Sequence, residues 1–210
     1  MAFIDTTDAN DAAGDVRAMY ERQQKSWGYV PNYAKLFSHR PRVLSAWADM
    51  IAVICAPVDA RTFELVTFAA ACALGSSSCS LAHGKKLLER FLSTTEVAAL
   101  AAGQEADTTL SAGEVAMVRF ARKLVRESST VTQSDVDAMR ANGIDDSRIF
   151  DIACIAAGRA FFANLVEGLG SLPDPALGEL APELVSRLAA GRAVDRQTSQ
   201  RIPFATQPVP

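Results

Sequence analysis

Apolar positions along the chain recur at intervals of three and four residues, the spacing of a helix with one buried face, and no stretch shows the alternation of a half-buried strand. Residues 10–24 carry the first such pattern, with Val16, Met19 and Tyr20 on one side. Gly28, Pro31 and Pro41 then divide "WGYVPNYAKLFSHRPRV" into a turn, a short helix and a new start. Pro41 suits a first helical turn, where its missing N–H costs nothing, and predicts a helix to about Cys55, ahead of Pro57. Asp59 predicts the cap of "ARTFELVTFAAACALG", which Gly75 ends; the next helix begins at Ser76 or Ser77 and runs through Phe91. Ser93 with Glu96, Ser111 with Glu114 and Thr132 with Asp135 have capping-box spacing, predicting helices near 94–102, 112–128 and 133–142. "DSRIFDIACIAAGRAFFANLVEGLG" predicts a long helix from a cap at Asp145 or Asp146 to Gly168 or Gly170. It is apolar over much of its circumference, as the central helix of a bundle is. One more helix is expected near 182–190, before a tail, "RIPFATQPVP", too rich in proline for a regular element. The fold class is all-α.

Composition narrows this picture. A chain of 210 residues suits one domain with a tail, here 1–175 followed by 176–210 with its C-terminal helix and Pro-rich end. Hydrophobic residues make up 49% but aromatics only 7%, so Ala, Leu and Val supply most of the apolar content, which favours helices. A net charge of −3 lacks the basic excess that a phosphate backbone requires, and no nucleic-acid partner is expected. The acidic start "MAFIDTTDANDAAGD" has neither the basic nor the apolar region of a signal peptide, predicting a cytoplasmic protein. The apolar stretches at 64–75 and 149–165 are broken by charged residues and fall short of the ~20 residues that span a bilayer, so no membrane partner is expected either. Four cysteines in a reducing compartment do not make a disulfide framework, and Cys55, Cys72 and Cys154 read as small buried hydrophobes.

The fourth, Cys79, stands in "GSSSCSLAHG", where chemistry is concentrated. Residues four apart on a helix have Cβ atoms about 5–6 Å from each other, so His83 can reach the Cys79 thiol without any tertiary coincidence. A helix starting at Ser76 or Ser77 also puts Cys79 in the first turn, where unpaired N–H groups favour negative charge. Both effects favour the thiolate, the nucleophilic form. Glu64, on the preceding helix, can fold back across Gly75 and orient the imidazole, giving a Glu–His–Cys proton relay. The same residues also fit a plainer reading: a Ser-rich helix start, an inert thiol and a surface histidine.

"ELVTFAAACALGSSSCSLAHGKKL" resembles the core motif of the carboxymuconolactone decarboxylase and alkylhydroperoxidase (AhpD-like) family. Its thiol members carry Glu, eleven residues, Cys-x-x-Cys, three residues and His, which fall here on Glu64, Ser76, Cys79 and His83. "GYVPNYAKLFSHRPRVLSAW" and the segment from "FARKLVRESS" to "VEGLGSLPD" resemble the peroxidase-related branch, extending the likeness over roughly residues 28–175. The resemblance implies an AhpD-like helical bundle, a homo-oligomer (dimer, trimer or hexamer), and a site of Cys79, His83 and Glu64. In the dithiol members the cysteine matching Cys79 attacks peroxide and the first cysteine resolves the sulfenic acid into a disulfide. Ser76 occupies that resolving position and cannot form the disulfide, so the cycle uses an external thiol or another cysteine of the chain, or does not run at all. Cys72, the nearest, would sit about 10 Å from Cys79 on a continuous helix, too far for a disulfide.

Three functions fit these residues. A thiol-dependent peroxidase would use Cys79, His83 and Glu64 on a hydroperoxide; a decarboxylase-like lyase would use His83 and Glu64 as acid and base on a lactone-like acid; a non-catalytic member would keep only the fold. No cofactor is expected, and Cys79, His83 and Glu64 supply too few ligands for a defined zinc site. Tyr33 and His39 can border the pocket or serve as loop and cap residues. Arg159 and Asn164 are polar positions on the apolar last helix, and Arg159 on a buried face needs a partner such as Glu64 or a neighbouring subunit. Trp27, Trp47, Phe161 and Phe162 read as packing.

Overall fold

The computed structural model describes residues 2–197, 200 and 201, so the predicted tail from 202 to 210 lies outside the described residues. Ten α-helices and no strand occur among the described residues: α1 Gly14–Trp27, α2 Asn32–Leu36, α3 Pro41–Cys55, α4 Ala60–Ala73, α5 Ser77–Arg90, α6 Thr94–Ala101, α7 Ala112–Glu127, α8 Gln133–Arg140, α9 Asp146–Gly168 and α10 Pro182–Leu188. The caps follow the sequence. Asp59 accepts from the Thr62 N–H at 2.9 Å, Asp145 from Arg148 at 2.8 Å, and Ser93/Glu96 and Ser111/Glu114 form full capping boxes. The first helix departs from expectation by starting at Gly14. The Asp8 side chain accepts the Asn10 N–H at 2.9 Å, and Asp11 donates to the Asp8 carbonyl at 3.2 Å, so this Asx turn takes up the residues the apolar pattern had assigned to a helix.

Helix α4 is the axis of the bundle. Residues Glu64 to Ala71 are buried in succession, and the small Ala69, Ala70 and Ala71 let α5, α7 and α9 approach on different sides. The main core joins Leu65, Phe68, Leu81, Leu87, Val118 and Ile152, with Leu184 and Leu188 of α10 closing one end. A second cluster gathers Met19 and Tyr20 of α1, Phe37 and Leu44 against Ala71, Cys79, Phe162 and Ala163. Helix α9 has the length and hydropathy to cross a membrane, but half of that apolar window is buried inside the bundle, where it packs on α3, α4 and α7.

The α4–α5 reversal sets the site. Gly75 adopts φ +67°, the left-handed region open to glycine, although a Cβ there would meet nothing within 4 Å. Around it, Gly75 donates to the Cys72 carbonyl at 3.1 Å and Ser76 to that of Ala71 at 3.0 Å, a Schellman closure of α4. The Ser76 carbonyl then accepts from Ser80 at 2.9 Å and opens α5. Ser76 is fully buried at this junction.

Candidate active site

The reversal lays α5 back along α4 and brings His83 onto Glu64. His83 Nδ1 lies 2.6 Å from Glu64 Oε2, and Lys86 Nζ lies 3.5 Å from Oε1; His83 and Glu64 are 7% and 5% exposed. Burial, reinforced by the nearby Arg159 charge, lowers His83 from 6.5 to about 4 against the opposing pull of Glu64. Burial alone would raise Glu64, but the hydrogen bonds and charges of His83 and Lys86 outweigh it and hold the carboxyl below its ordinary value. Near pH 7 the imidazole is therefore neutral and the carboxylate ionised. A carboxylate only accepts, so the shared proton sits on Nδ1 and Nε2 keeps a lone pair.

Cys79, one turn earlier, is 3% exposed. Its sulfur meets a group from a distant element: Arg159 Nη1 of α9 at 3.6 Å. Arg159 is 5% exposed, and among the described residues no carboxylate forms an ion pair with it. Its guanidinium carbon lies 5.4 Å from the Trp47 ring and 5.5 Å from that of Phe162, so aromatic faces share in holding the charge. Trp47 stacks on Phe162 at 4.5 Å and donates its indole N–H to the Gly158 carbonyl at 3.0 Å, which fixes α3 against α9 beside the sulfur.

By its sequence, the start of α5 is expected to favour negative charge at Cys79. The structure gives that role another occupant: Glu167 of α9 accepts the Ser77 N–H at 2.6 Å and pairs with Arg192 at 3.2 Å. A carboxylate already answers the helix terminus, and the cation facing sulfur is Arg159. No signal in the sequence singled out Glu167, which acts across ninety residues of chain.

A cavity of about 200 Å³ opens on Cys79, Ser78, His83 and Arg159 and is walled by Trp27, Tyr33, Trp47, Phe63 and Phe162. Lys86 and Asp174 complete its polar lining; burial pushes Asp174 up to about 6, and its carboxylate accepts the Asn32 N–H at 2.9 Å. Of the aromatics read as packing, Trp27, Trp47 and Phe162 also wall this cavity, whereas Phe161 is 46% exposed on the far face of α9. Tyr33 lines the pocket. His39 does not; its Nε2 lies 2.7 Å from the Asp5 carbonyl on the surface, and Asn164 is exposed. The other three cysteines are unpaired, and Cys55 and Cys72 pack on the main core while Cys79 belongs to the second cluster. Burial pushes the Cys72 thiol up to about 11. A larger cavity, about 320 Å³, lies between the N-terminal segment and Asp195, Gln197 and Gln200, but it is lined by groups such as Asp8 and Lys35 and holds no nucleophilic thiol. Among the described residues no group of three or more His, Cys, Asp or Glu side chains is arranged to hold a metal ion.

An all-α bundle with a buried thiol and a Glu–His pair at the α4–α5 reversal defines the class: an AhpD-like helical fold. Residues 41–123 match the model of the carboxymuconolactone decarboxylase family. The matched segment holds Glu64, Ser76, Cys79 and His83; Arg159 and Phe162 lie beyond it. Similar solved structures include the peroxidase-related AhpD-core protein of Ralstonia eutropha JMP134, at 21% identity and TM-score 0.71 over 92% of this chain and 98% of that one. Another is a peroxidase-related protein of Silicibacter sp. TM1040, at 19% identity and TM-score 0.73 over 85% and 94%. A third is the debrominase Bmp8, as a cysteine-to-alanine variant in complex with 2,3,4-tribromopyrrole, at 16% identity and TM-score 0.69 over 85% and 95%. At these identities the likeness is one of fold. No curated protein matches the sequence.

Proposed function

We propose that the chain is a thiol-dependent peroxidase in which Cys79 reduces a hydroperoxide. The observation that carries this reading is the Cys79 sulfur facing a guanidinium with no carboxylate partner, in a pocket that His83 also lines. His83 Nε2 accepts the thiol proton, with Glu64 fixing the ring through Nδ1. The Cys79 sulfur then attacks the terminal oxygen of the hydroperoxide, the O–O bond breaks, and sulfur becomes a sulfenic acid. The departing alkoxide takes the proton back from His83 and leaves as the alcohol. Arg159 stabilises negative charge first on sulfur and then on the departing oxygen. Ser76 offers no thiol to the sulfenic acid, so two equivalents of an external thiol return Cys79 to its reduced state, releasing water and a disulfide.

The test is consumption of cumene hydroperoxide with a small dithiol as reductant. Wild type turns over and Cys79→Ser does not; turnover that persists in Cys79→Ser overturns the reading and leaves acid–base chemistry by His83 and Glu64, as in a lyase. The aromatic walls favour one second reading. Thiol-dependent removal of halogen from a small aromatic ring, the kind of substrate bound by the Bmp8 variant, also fits this pocket. Halide release from a bromopyrrole, without hydroperoxide turnover, would decide for it.

A further inference from the structure

Among the described residues, Arg159 is the one Lys or Arg side chain that is buried. Arg122, half-buried, faces Glu105 at 3.4 Å and donates to the Leu100 carbonyl. Arg159 has a sulfur contact at 3.6 Å, two aromatic faces, and an Nε buried with no acceptor. The carboxylates nearest the cavity are committed elsewhere. Glu64 gives one oxygen to His83 and the other to Lys86, and Asp174 accepts the Asn32 N–H. Leaving a buried charge without an anion costs several kcal/mol, so the chain bears that cost at a place where a cavity opens.

The cavity specifies what can answer the charge. At about 200 Å³ it is smaller than the ~300–1,000 Å³ of drug-sized sites, so its ligand is small. Trp27, Tyr33, Trp47, Phe63 and Phe162 wall the cavity; Trp47 and Phe162 already stack on each other at 4.5 Å, so an incoming flat ring meets the remaining aromatic surface of these walls. We infer that this pocket binds a small aromatic carboxylate, its ring among these aromatic walls and its carboxylate on the Arg159 guanidinium beside Cys79. The inference rests on the proposed function only in taking the Cys79 cavity as the substrate site. It narrows the substrate class to hydroperoxides that also carry an aromatic ring and a carboxylate.

Both tryptophans of the chain line this cavity, so intrinsic fluorescence reports its occupancy. The experiment titrates Cys79→Ser, in which no thiol chemistry intervenes, with benzoate, benzamide and benzylamine at pH 7. These probes share a ring and differ in charge. The expected result is saturable quenching by benzoate with an affinity about tenfold or more above that of benzamide, and none by benzylamine. Adding Arg159→Gln brings benzoate down to the affinity of benzamide. Equal affinities for benzoate and benzamide, no saturable response to benzoate, or a preference that survives Arg159→Gln would each overturn the inference. The probe series needs no Arg159 variant, so a misfolded Arg159→Gln leaves the test standing. A benzoate preference alongside absent peroxide turnover removes the peroxidase reading alone, and turnover without the preference removes this inference alone.

Discussion

Acid should loosen this protein through His83 before it touches most of its carboxylates. Burial and the Arg159 charge lower His83 from 6.5 to about 4, with Lys86 adding and Glu64 opposing. At ~1.4 kcal/mol per pH unit, protonating the folded ring costs on the order of 3 kcal/mol. The sign follows from linkage: between pH 6.5 and about 4 the unfolded chain binds the proton that folded His83 refuses, so stability falls as pH falls through that window. Glu64, also held low, adds loss only below its ordinary value. Asp174 works the other way: raised from 3.8 to about 6, it gains stability for the fold as pH falls through that range, which flattens the wild-type profile. The control is therefore a difference. His83→Gln keeps a side-chain N–H for Glu64 but cannot titrate. Chemical denaturation of both proteins at pH 7 and pH 5 should show wild type losing about 2 kcal/mol more than the variant. Because the chain has only two histidines, His39→Gln leaves a single imidazole for NMR titration. A His83 that protonates at or above pH 6.5, or equal losses in both proteins, would refute the neutral-ring assignment.

Other consequences follow from the same geometry. Glu64→Gln replaces an acceptor with an amide that can donate to Nδ1, moving the imidazole proton to Nε2, where it can no longer take one from Cys79. Peroxide-dependent oxidation of Cys79, measured by stopped flow, should slow by roughly 10²–10⁴-fold with little change in melting temperature. Glu167→Ala strips the start of α5 of its acceptor and takes the carboxylate from Arg192, which keeps its bond to the residue 167 carbonyl, and should cost about 1–2 kcal/mol by urea denaturation. At Gly158 a Cβ would lie 2.7 Å from Ile51 Cδ1; Gly158→Val should destabilise by about 1–3 kcal/mol and, by moving Trp47, weaken quenching by benzoate.

The helices were legible because their ends are written locally. Asp59, Ser93, Ser111 and Asp145 cap within three residues of the groups they bind, and Gly75 marks a left-handed turn that other residues adopt at a cost. The Glu64–His83 contact was legible for a related reason: two helices joined by a tight reversal leave few ways for residues nineteen apart to face each other. What escaped depends on packing between distant elements. Arg159 reaches Cys79 from eighty residues away, and its charge is tolerated because Trp47 of α3 and Phe162 of α9 stack beside it. Read one at a time, those aromatics are packing, and the pocket exists only where α3, α5 and α9 meet. Glu167 was hidden in the same way, a capping group supplied by a different helix.

The central claim is that Cys79 is a peroxide-reactive thiol. The most direct measurement is intact mass after a brief exposure to hydrogen peroxide with a sulfenic-acid trap, on wild type, Cys79→Ser and Arg159→Gln. Wild type should give one rapid adduct, Cys79→Ser none, and Arg159→Gln an adduct forming about tenfold or more slowly, a barrier difference of ~1.4 kcal/mol. A wild-type adduct that persists in Cys79→Ser, or one that forms no faster than with a small free thiol, would contradict the claim.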